Sequence, residues 1–147
     1  MKKLLLILTF LFAPLAAADG AGEIDLAQYQ GKVVMLDFWA SWCVPCRRSF
    51  PWMNEMHDRY KQDGLVIIAV NLDKEAQDAA EFLAEFPANF LIEYDPDASL
   101  AMELGVEAMP SSFIYGRDGQ PFDKHMGFRV AKQDQYEAAI RRALGLE

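Results

Sequence analysis

The sequence predicts an α/β fold in which helices flank a mixed β-sheet. Residues 33–38 (VVMLDF) and 65–72 (LVIIAVNL) are apolar runs rich in valine and isoleucine, which is typical of strands buried on both faces of a partly parallel sheet. Residues with helical spacing lie between and after these runs, and a hairpin pattern follows near the end of the chain. Strands that alternate with helices and then pair as a hairpin predict this architecture.

Helices are predicted after each of the two apolar runs. The positions that recur at steps of three or four residues after the first run are Phe50, Met53, His57 and Tyr60. A second stripe with helical period follows the second run and comprises Ala79, Phe82, Leu83 and Phe86. Each stripe predicts an amphipathic helix that packs one face on the sheet. The acid-rich stretch at 73–85 is interpreted as the solvated face of the second helix.

The remaining predicted elements lie in the last third of the chain. In order, they are a short strand at 90–94, a short helix at 98–104, strands at 112–115 and 121–126, and a closing helix marked by Tyr136, Ile140 and Leu144. The turn at 117–120 (RDGQ) joins the last two strands as a hairpin. No internal repeat or low-complexity linker interrupts residues 19–147, so we expect a single domain there.

The composition excludes several classes of protein. The chain has 147 residues, with 14 Lys plus Arg against 22 Asp plus Glu, and its formal charge is −8. This acidic balance argues against nucleic acid as a partner, because binding to nucleic acid depends on basic surfaces. At 52% hydrophobic residues the chain is not of the disordered class, and its ten Phe, five Tyr and three Trp can fill a core without a metal or disulfide as a staple.

Residues 1–18 have the pattern of a secretory signal. Two lysines precede an apolar run at 4–15, and three alanines precede Asp19. The run is shorter than the roughly 20 residues that a membrane-spanning helix needs, and Pro14 interrupts it. We therefore expect a cleaved signal and a soluble protein in the periplasm, with an uncleaved anchor as the alternative. We also expect the protein to be a monomer.

The only cysteines of the chain lie in the motif Trp42-Cys43-Val44-Pro45-Cys46, soon after the first apolar run. Two cysteines three positions apart can form a disulfide, but the bond closes almost no loop and so stabilises the fold little. We therefore predict a catalytic disulfide, with an inert bridge as the alternative. A zinc site is disfavoured because four ligands are wanted, and two Cys and two His exist at spacings that no common zinc module uses.

The two cysteines are predicted to differ in reactivity, because the motif is expected to open the first helix. The helix N-terminus presents unpaired N–H groups and a positive dipole end to Cys43, which favours the thiolate and lowers the pKa of that thiol. We expect Cys43 to be exposed and Cys46, about one turn further on, to be shielded. Pro45 suits the first helical turn, where its missing N–H would have no partner.

Asp37 places a carboxyl group inside an otherwise apolar strand, six positions before Cys43. Burial without a partner would raise the pKa of this group, so that it could accept a proton from Cys46 during disulfide exchange and return it in the reverse direction. We therefore predict that Asp37 is a proton relay. The alternative is a solvated carboxylate at the end of the strand.

Four segments carry a resemblance to a known family. They are residues 34–46 (VMLDFWASWCVPC), 47–51 (RRSFP), 65–72 and 109–113 (MPSSF). Together they resemble the thioredoxin superfamily, and within it the exported thiol-disulfide oxidoreductases of the TlpA and ResA type. The resemblance covers essentially all of residues 19–147. It implies a thioredoxin-like sheet without a cofactor, in which residues 73–104 are the strand and helix that this group adds.

The same resemblance implies roles for individual residues. Cys43 is the attacking thiol and Cys46 the resolving thiol, and the peptide bond before Pro110 is cis and faces the disulfide. The backbone of Met109 can then pair with an extended substrate segment. The residues expected to contact substrate are Trp42, Val44, Pro45, Met109 and Pro110.

The predicted function is the reduction of disulfides in envelope proteins, with electrons from a membrane-embedded thiol reductant because the chain has no nucleotide site. An oxidant or isomerase would differ in redox poise rather than in fold, and Val44-Pro45 is closer to the Gly-Pro of reducing thioredoxins than to the Pro-His of strong oxidants. A copper-binding or chaperone module using the same cysteines is a third alternative. Residues 105–111 lack the Pro-Glu of the cytochrome-maturation branch, which disfavours a dedicated cytochrome role.

Overall fold

The structure is a computed structural model that describes residues 24–146. The predicted signal at 1–18 lies outside the described residues, as do residues 19–23 and Glu147. The strands are β1 Val33–Trp39, β2 Leu65–Asn71, β3 Leu91–Tyr94, β4 Ser111–Tyr115 and β5 Pro121–Met126. The α-helices are α1 Cys46–Tyr60, α2 Ala76–Glu85, α3 Ser99–Glu103 and α4 Gln133–Leu144. Each strand that the sequence predicts is therefore present.

The five strands form one sheet in the order β3-β2-β1-β4-β5. β1 pairs parallel with β2, and β2 pairs parallel with β3, whereas β4 runs antiparallel to β1 and β5 antiparallel to β4. The predicted mixed α/β sheet is confirmed. Residues 73–104 contribute α2, β3 and α3, and β3 forms one edge of the sheet. β1 is buried along its whole length, as its apolar run predicts.

Side chains of β1 alternate between the two faces of the sheet. Met35 and Trp39 belong to the larger core, which also contains residues of α1, α2 and α4, whereas Leu36 and Phe38 pack on the opposite face. Asp37 has the spacing of the first pair. It therefore faces the same layer that holds both cysteines.

The first helix begins at Cys46, the last residue of the motif, so Pro45 lies just before the first turn rather than in it. Pro45 is the N-cap, and the amide of Cys46 donates to the carbonyl oxygen of Cys43 at 3.1 Å. Cys43 accordingly precedes the helix in a tight turn.

Candidate active site

Cys43 and Cys46 form a disulfide in the loop between β1 and α1. The loop turns tightly, because the amide of Cys43 donates to the carbonyl oxygen of Ala40 at 3.0 Å and the amide of Cys46 donates to that of Cys43. The two Cα atoms are 5.3 Å apart, which suits a disulfide. The two predicted redox residues thus meet just beyond the carboxyl end of β1.

The two cysteines differ in exposure, although less than the sequence predicts. Cys43 is 3% exposed and Cys46 is fully buried, so solvent reaches only Cys43. The expectation of an openly exposed Cys43 is wrong, because the loop folds this residue against the larger core. Its neighbours Trp42 and Val44 project from the surface instead, with 67% and 61% of their areas exposed. They form an apolar rim around the accessible cysteine.

A groove of about 360 Å³ lies beside the disulfide loop. Trp42 and Met109 line it together with residues of α3, of which Met102 is 71% exposed. The peptide bond between Met109 and Pro110 is cis, as the resemblance implies. Two of the predicted substrate-contact residues therefore share one apolar surface next to Cys43, and α3 extends that surface.

Asp37 is 1% exposed, so the alternative of a solvated carboxylate is wrong. Ser112, its antiparallel partner on β4, donates a hydroxyl hydrogen bond to Oδ1 of Asp37. Oδ2 has no hydrogen-bond partner among residues 24–146. Burial raises the pKa of Asp37 to about 7, and the hydrogen bond from Ser112 opposes that rise. The carboxyl group can therefore gain or lose a proton near neutral pH.

Asp73 corrects the interpretation of residues 73–85 as a solvated helix face, because it is buried and precedes α2. Its carboxylate accepts hydrogen bonds from the amide of Ser41 at 2.8 Å, from the hydroxyl of Ser41 at 2.9 Å and from the side-chain amide of Asn71 at 2.7 Å. This network ties the disulfide loop to the end of β2. Sequence reasoning missed this network. The available signal was the pair of polar residues, Asn71 and Asp73, at the end of a buried strand.

Both histidines lie partly buried in the described part of the chain. Nδ1 of His57 is buried and has no hydrogen-bond partner among the described residues. His125, on β5, stacks on Tyr136 with ring centroids 4.2 Å apart, and burial lowers its pKa to about 4. Among residues 24–146, no group of three His, Cys, Asp or Glu side chains is placed to hold a metal ion.

The Redoxin family model matches residues 11–140. This chain belongs to the Redoxin family. The Redoxin chain is 48% identical to a protein from Chlorobium tepidum described as a "putative Thiol:disulfide interchange protein DsbE". The similarity to that crystal structure has a TM-score of 0.80 and covers 83% of this chain and 86% of the other. StoA from Bacillus subtilis, at 24% identity and a TM-score of 0.65 over 76% of this chain and 84% of its own, shares the fold.

Curated relatives of this Redoxin include two proteins named thiol-disulfide oxidoreductase ResA. The protein from Bacillus anthracis is 32% identical over 111 residues, which are 76% of this chain and 64% of the relative. The protein from Bacillus subtilis (strain 168) is 31% identical over 98 residues, which are 67% of this chain and 55% of the relative. The Redoxin chain thus spans less than two thirds of the length of these relatives. Among residues 24–146, no helix is long and apolar enough to span a membrane.

The Redoxin site brings together groups suited to disulfide exchange. The disulfide joins Cys43, which is 3% exposed, to Cys46, which is fully buried. An acid with a pKa near 7 faces the same layer of the core, and an apolar groove leads away from the loop. Sequence reasoning found the cysteines and Asp37, but it missed Ser112 and Asp73 as the groups that hold the acid and the loop.

Proposed function

We propose that this Redoxin is an exported thiol-disulfide oxidoreductase that reduces disulfides of envelope proteins in the periplasm. The observation that carries this proposal is the Cys43–Cys46 disulfide beside an exposed apolar groove, with Trp42 and Val44 exposed on either side of Cys43. A purely structural bridge has no need of an exposed apolar surface beside it. The relatives named thiol-disulfide oxidoreductase support the same reaction class.

The proposed reaction begins with the reduced protein. The thiolate of Cys43 attacks one sulfur of the substrate disulfide, and the other substrate sulfur leaves as a thiolate. Asp37 then accepts the proton of the Cys46 thiol, and the Cys46 thiolate attacks Sγ of Cys43. The second substrate thiolate leaves as the Cys43–Cys46 disulfide forms. The substrate has gained two electrons, and a membrane-embedded thiol reductant restores the dithiol.

The substrate is proposed to lie along the apolar surface beside the loop. Trp42 and Val44 offer exposed apolar contacts, and Pro45 continues the loop between the cysteines. Met109 lines the groove, and its backbone is proposed to pair with an extended segment of the substrate. This arrangement suits a substrate protein whose disulfide lies in an exposed or locally unfolded segment. One copy of this Redoxin is enough to bind such a segment.

Trapping and redox equilibration test the proposal together. In Cys46→Ala the mixed disulfide between Cys43 and a partner cannot be resolved, so periplasmic proteins should accumulate as covalent adducts. In Cys43→Ala, the matched control, they should not. The wild type should reduce insulin disulfides with a dithiol supply, and its potential, measured against glutathione, should lie below about −200 mV, nearer thioredoxin than DsbA.

Two results would redirect the assignment. A potential near the roughly −120 mV of DsbA would place the protein among disulfide oxidants. A stoichiometric Cu(I) complex without insulin reduction would favour the copper-binding alternative, because two thiolates can hold this soft ion.

A further inference from the structure

We propose that Ser112 is a positioning residue for proton transfer, because its hydroxyl holds Oδ1 of Asp37 and leaves Oδ2 as the oxygen that exchanges a proton with Cys46. The inference rests on the proposed function and deepens it. In the step concerned, the S–H bond of Cys46 breaks and an O–H bond forms at Oδ2. The Cys46 thiolate then forms the S–S bond with Cys43 as the substrate sulfur leaves with the electron pair of the mixed disulfide.

The geometry gives the two carboxylate oxygens different surroundings. Asp37 and Ser112 are direct partners in the antiparallel pairing of β1 with β4, and both are buried. The hydroxyl of Ser112 donates to Oδ1, whereas Oδ2 has no partner among the described residues. A buried oxygen without a partner carries a free-energy penalty that a bound proton relieves. Oδ2 is therefore the favoured site of protonation.

The hydrogen bond from Ser112 also limits how far burial raises the pKa of Asp37. Burial alone favours the protonated form of Asp37, and a donor aimed at the carboxylate favours the ionised form. An acid that stayed protonated at neutral pH could not accept the proton of Cys46. Ser112 therefore both selects the reactive oxygen and maintains a population of carboxylate that can act as a base.

Other titratable groups lie in this layer or on the elements that border it. From the loop and α1 they are Cys43, Cys46, His57 and Tyr60, from β5 His125, and from α4 Tyr136. Burial lowers the pKa of His57 below its ordinary value and that of His125 to about 4, so both imidazoles are largely neutral near pH 7. No charged side chain is among the causes of the shift at Asp37.

The experiment titrates the carboxyl carbon of Asp37 by carbon-13 NMR in the oxidised protein, where neither cysteine ionises. Ser112→Ala should raise the pKa of Asp37 by about one pH unit, the size expected for one hydrogen bond to a charged group. Ser112→Thr keeps the hydroxyl and should restore the wild-type value. Ser111→Ala is the matched control, because Ser111 is equally buried and adjacent but donates to the carbonyl oxygen of Ala108.

The second measurement follows resolution of a preformed mixed disulfide on Cys43 as a function of pH. In Ser112→Ala the rate should rise at a pH about one unit higher than in the wild type, and Ser112→Thr should follow the wild type. A carboxyl pKa that Ser112→Ala does not move overturns the inference, and so does a moved pKa with an unmoved rate profile. Absence of exchange in the wild type would instead overturn the proposed function, and this role with it.

Discussion

Asp73 accepts two hydrogen bonds from Ser41, one from its backbone amide at 2.8 Å and one from its hydroxyl at 2.9 Å. Ser41 lies two residues before Cys43, whereas Asp73 follows β2. The position of the disulfide is therefore fixed by the ends of two neighbouring strands. A buried carboxylate is tolerated when several N–H and O–H groups donate hydrogen bonds to it, as Ser41 and Asn71 do to Asp73.

Removing this carboxylate should loosen the loop. Asp73→Ala leaves donors of the half-buried Ser41 and the buried Asn71 without an acceptor, so we expect the free energy of unfolding to fall by about 2 to 3 kcal/mol. Ser41→Ala removes one donor and should cost about 1 kcal/mol. Urea denaturation of the oxidised proteins measures both. Asp78→Ala, on the exposed side of α2, is the control and should change stability by less than about 0.5 kcal/mol. Equal losses in Asp73→Ala and Asp78→Ala would contradict the role of the network.

Asp37 should make folding stability depend on pH. Its pKa rises from 3.8 to about 7 on folding, so the folded protein binds more protons than the unfolded chain between these values. The wild type should therefore lose stability as pH rises through this window, by up to about 4 kcal/mol relative to Asp37→Asn. Denaturant curves of both oxidised proteins at pH 4 and pH 8 measure the difference. A difference that is the same at both pH values would show that Asp37 titrates normally.

Asp37→Asn should also slow the second half of disulfide exchange. The substitution nearly preserves the size of the side chain but removes the group that takes the proton of Cys46. We expect resolution of the mixed disulfide to slow about 10² to 10⁴-fold at pH 7, the usual contribution of a general base, and alkylation of Cys43 to continue. Stopped-flow measurement of the two steps separates them. Superimposable pH profiles for wild type and variant would make Asp37 a structural residue only.

Cys43 should react first with an alkylating reagent. It is the cysteine that solvent reaches, and it precedes the helix N-terminus, which stabilises a thiolate. Brief treatment of the reduced protein with iodoacetamide at neutral pH, followed by peptide mass mapping, should place the label on Cys43. Cys43→Ser should be labelled far more slowly. Preferential labelling of Cys46 in the wild type would reverse the proposed roles.

Trp42 should matter for protein substrates and little for stability. Its side chain is mostly exposed at the edge of the groove, so Trp42→Ala removes apolar contact area from a partner rather than from the core. We expect kcat/KM for a protein disulfide to fall about tenfold, a loss of about 1.4 kcal/mol in transition-state binding. Turnover of a small aromatic disulfide should change less.

The control for Trp42→Ala is Phe122→Ala, which truncates an exposed aromatic residue on β5 that does not line the groove. Phe122→Ala should leave both substrates unaffected. An equal loss with protein and small-molecule disulfides in Trp42→Ala would indicate damage to the disulfide itself rather than to substrate binding.

How far the sequence predicts this structure depends on the range of the interactions. β1 and its buried Asp37 were predictable, because an acid inside an apolar run is visible in the letters themselves. The role of Ser112 was not, since it depends on the register of a strand 75 residues away. Asp73 was assigned to a solvated helix because charge patterns report average exposure, whereas its burial depends on the path of the loop it holds.

The placement of the disulfide in the larger core links two quantities that are usually measured separately. Oxidation, reduction, folding and unfolding form a closed thermodynamic cycle. The oxidised and reduced forms therefore differ in unfolding free energy by the amount that folding shifts the reduction potential, about 1.4 kcal/mol for every 30 mV. If the core packs more favourably around the disulfide than around the two thiols, folding lowers the reduction potential and makes the folded protein a reductant. The direction of electron flow can thus be read from two denaturation curves, in which the oxidised form of a reductant withstands more denaturant than its reduced form.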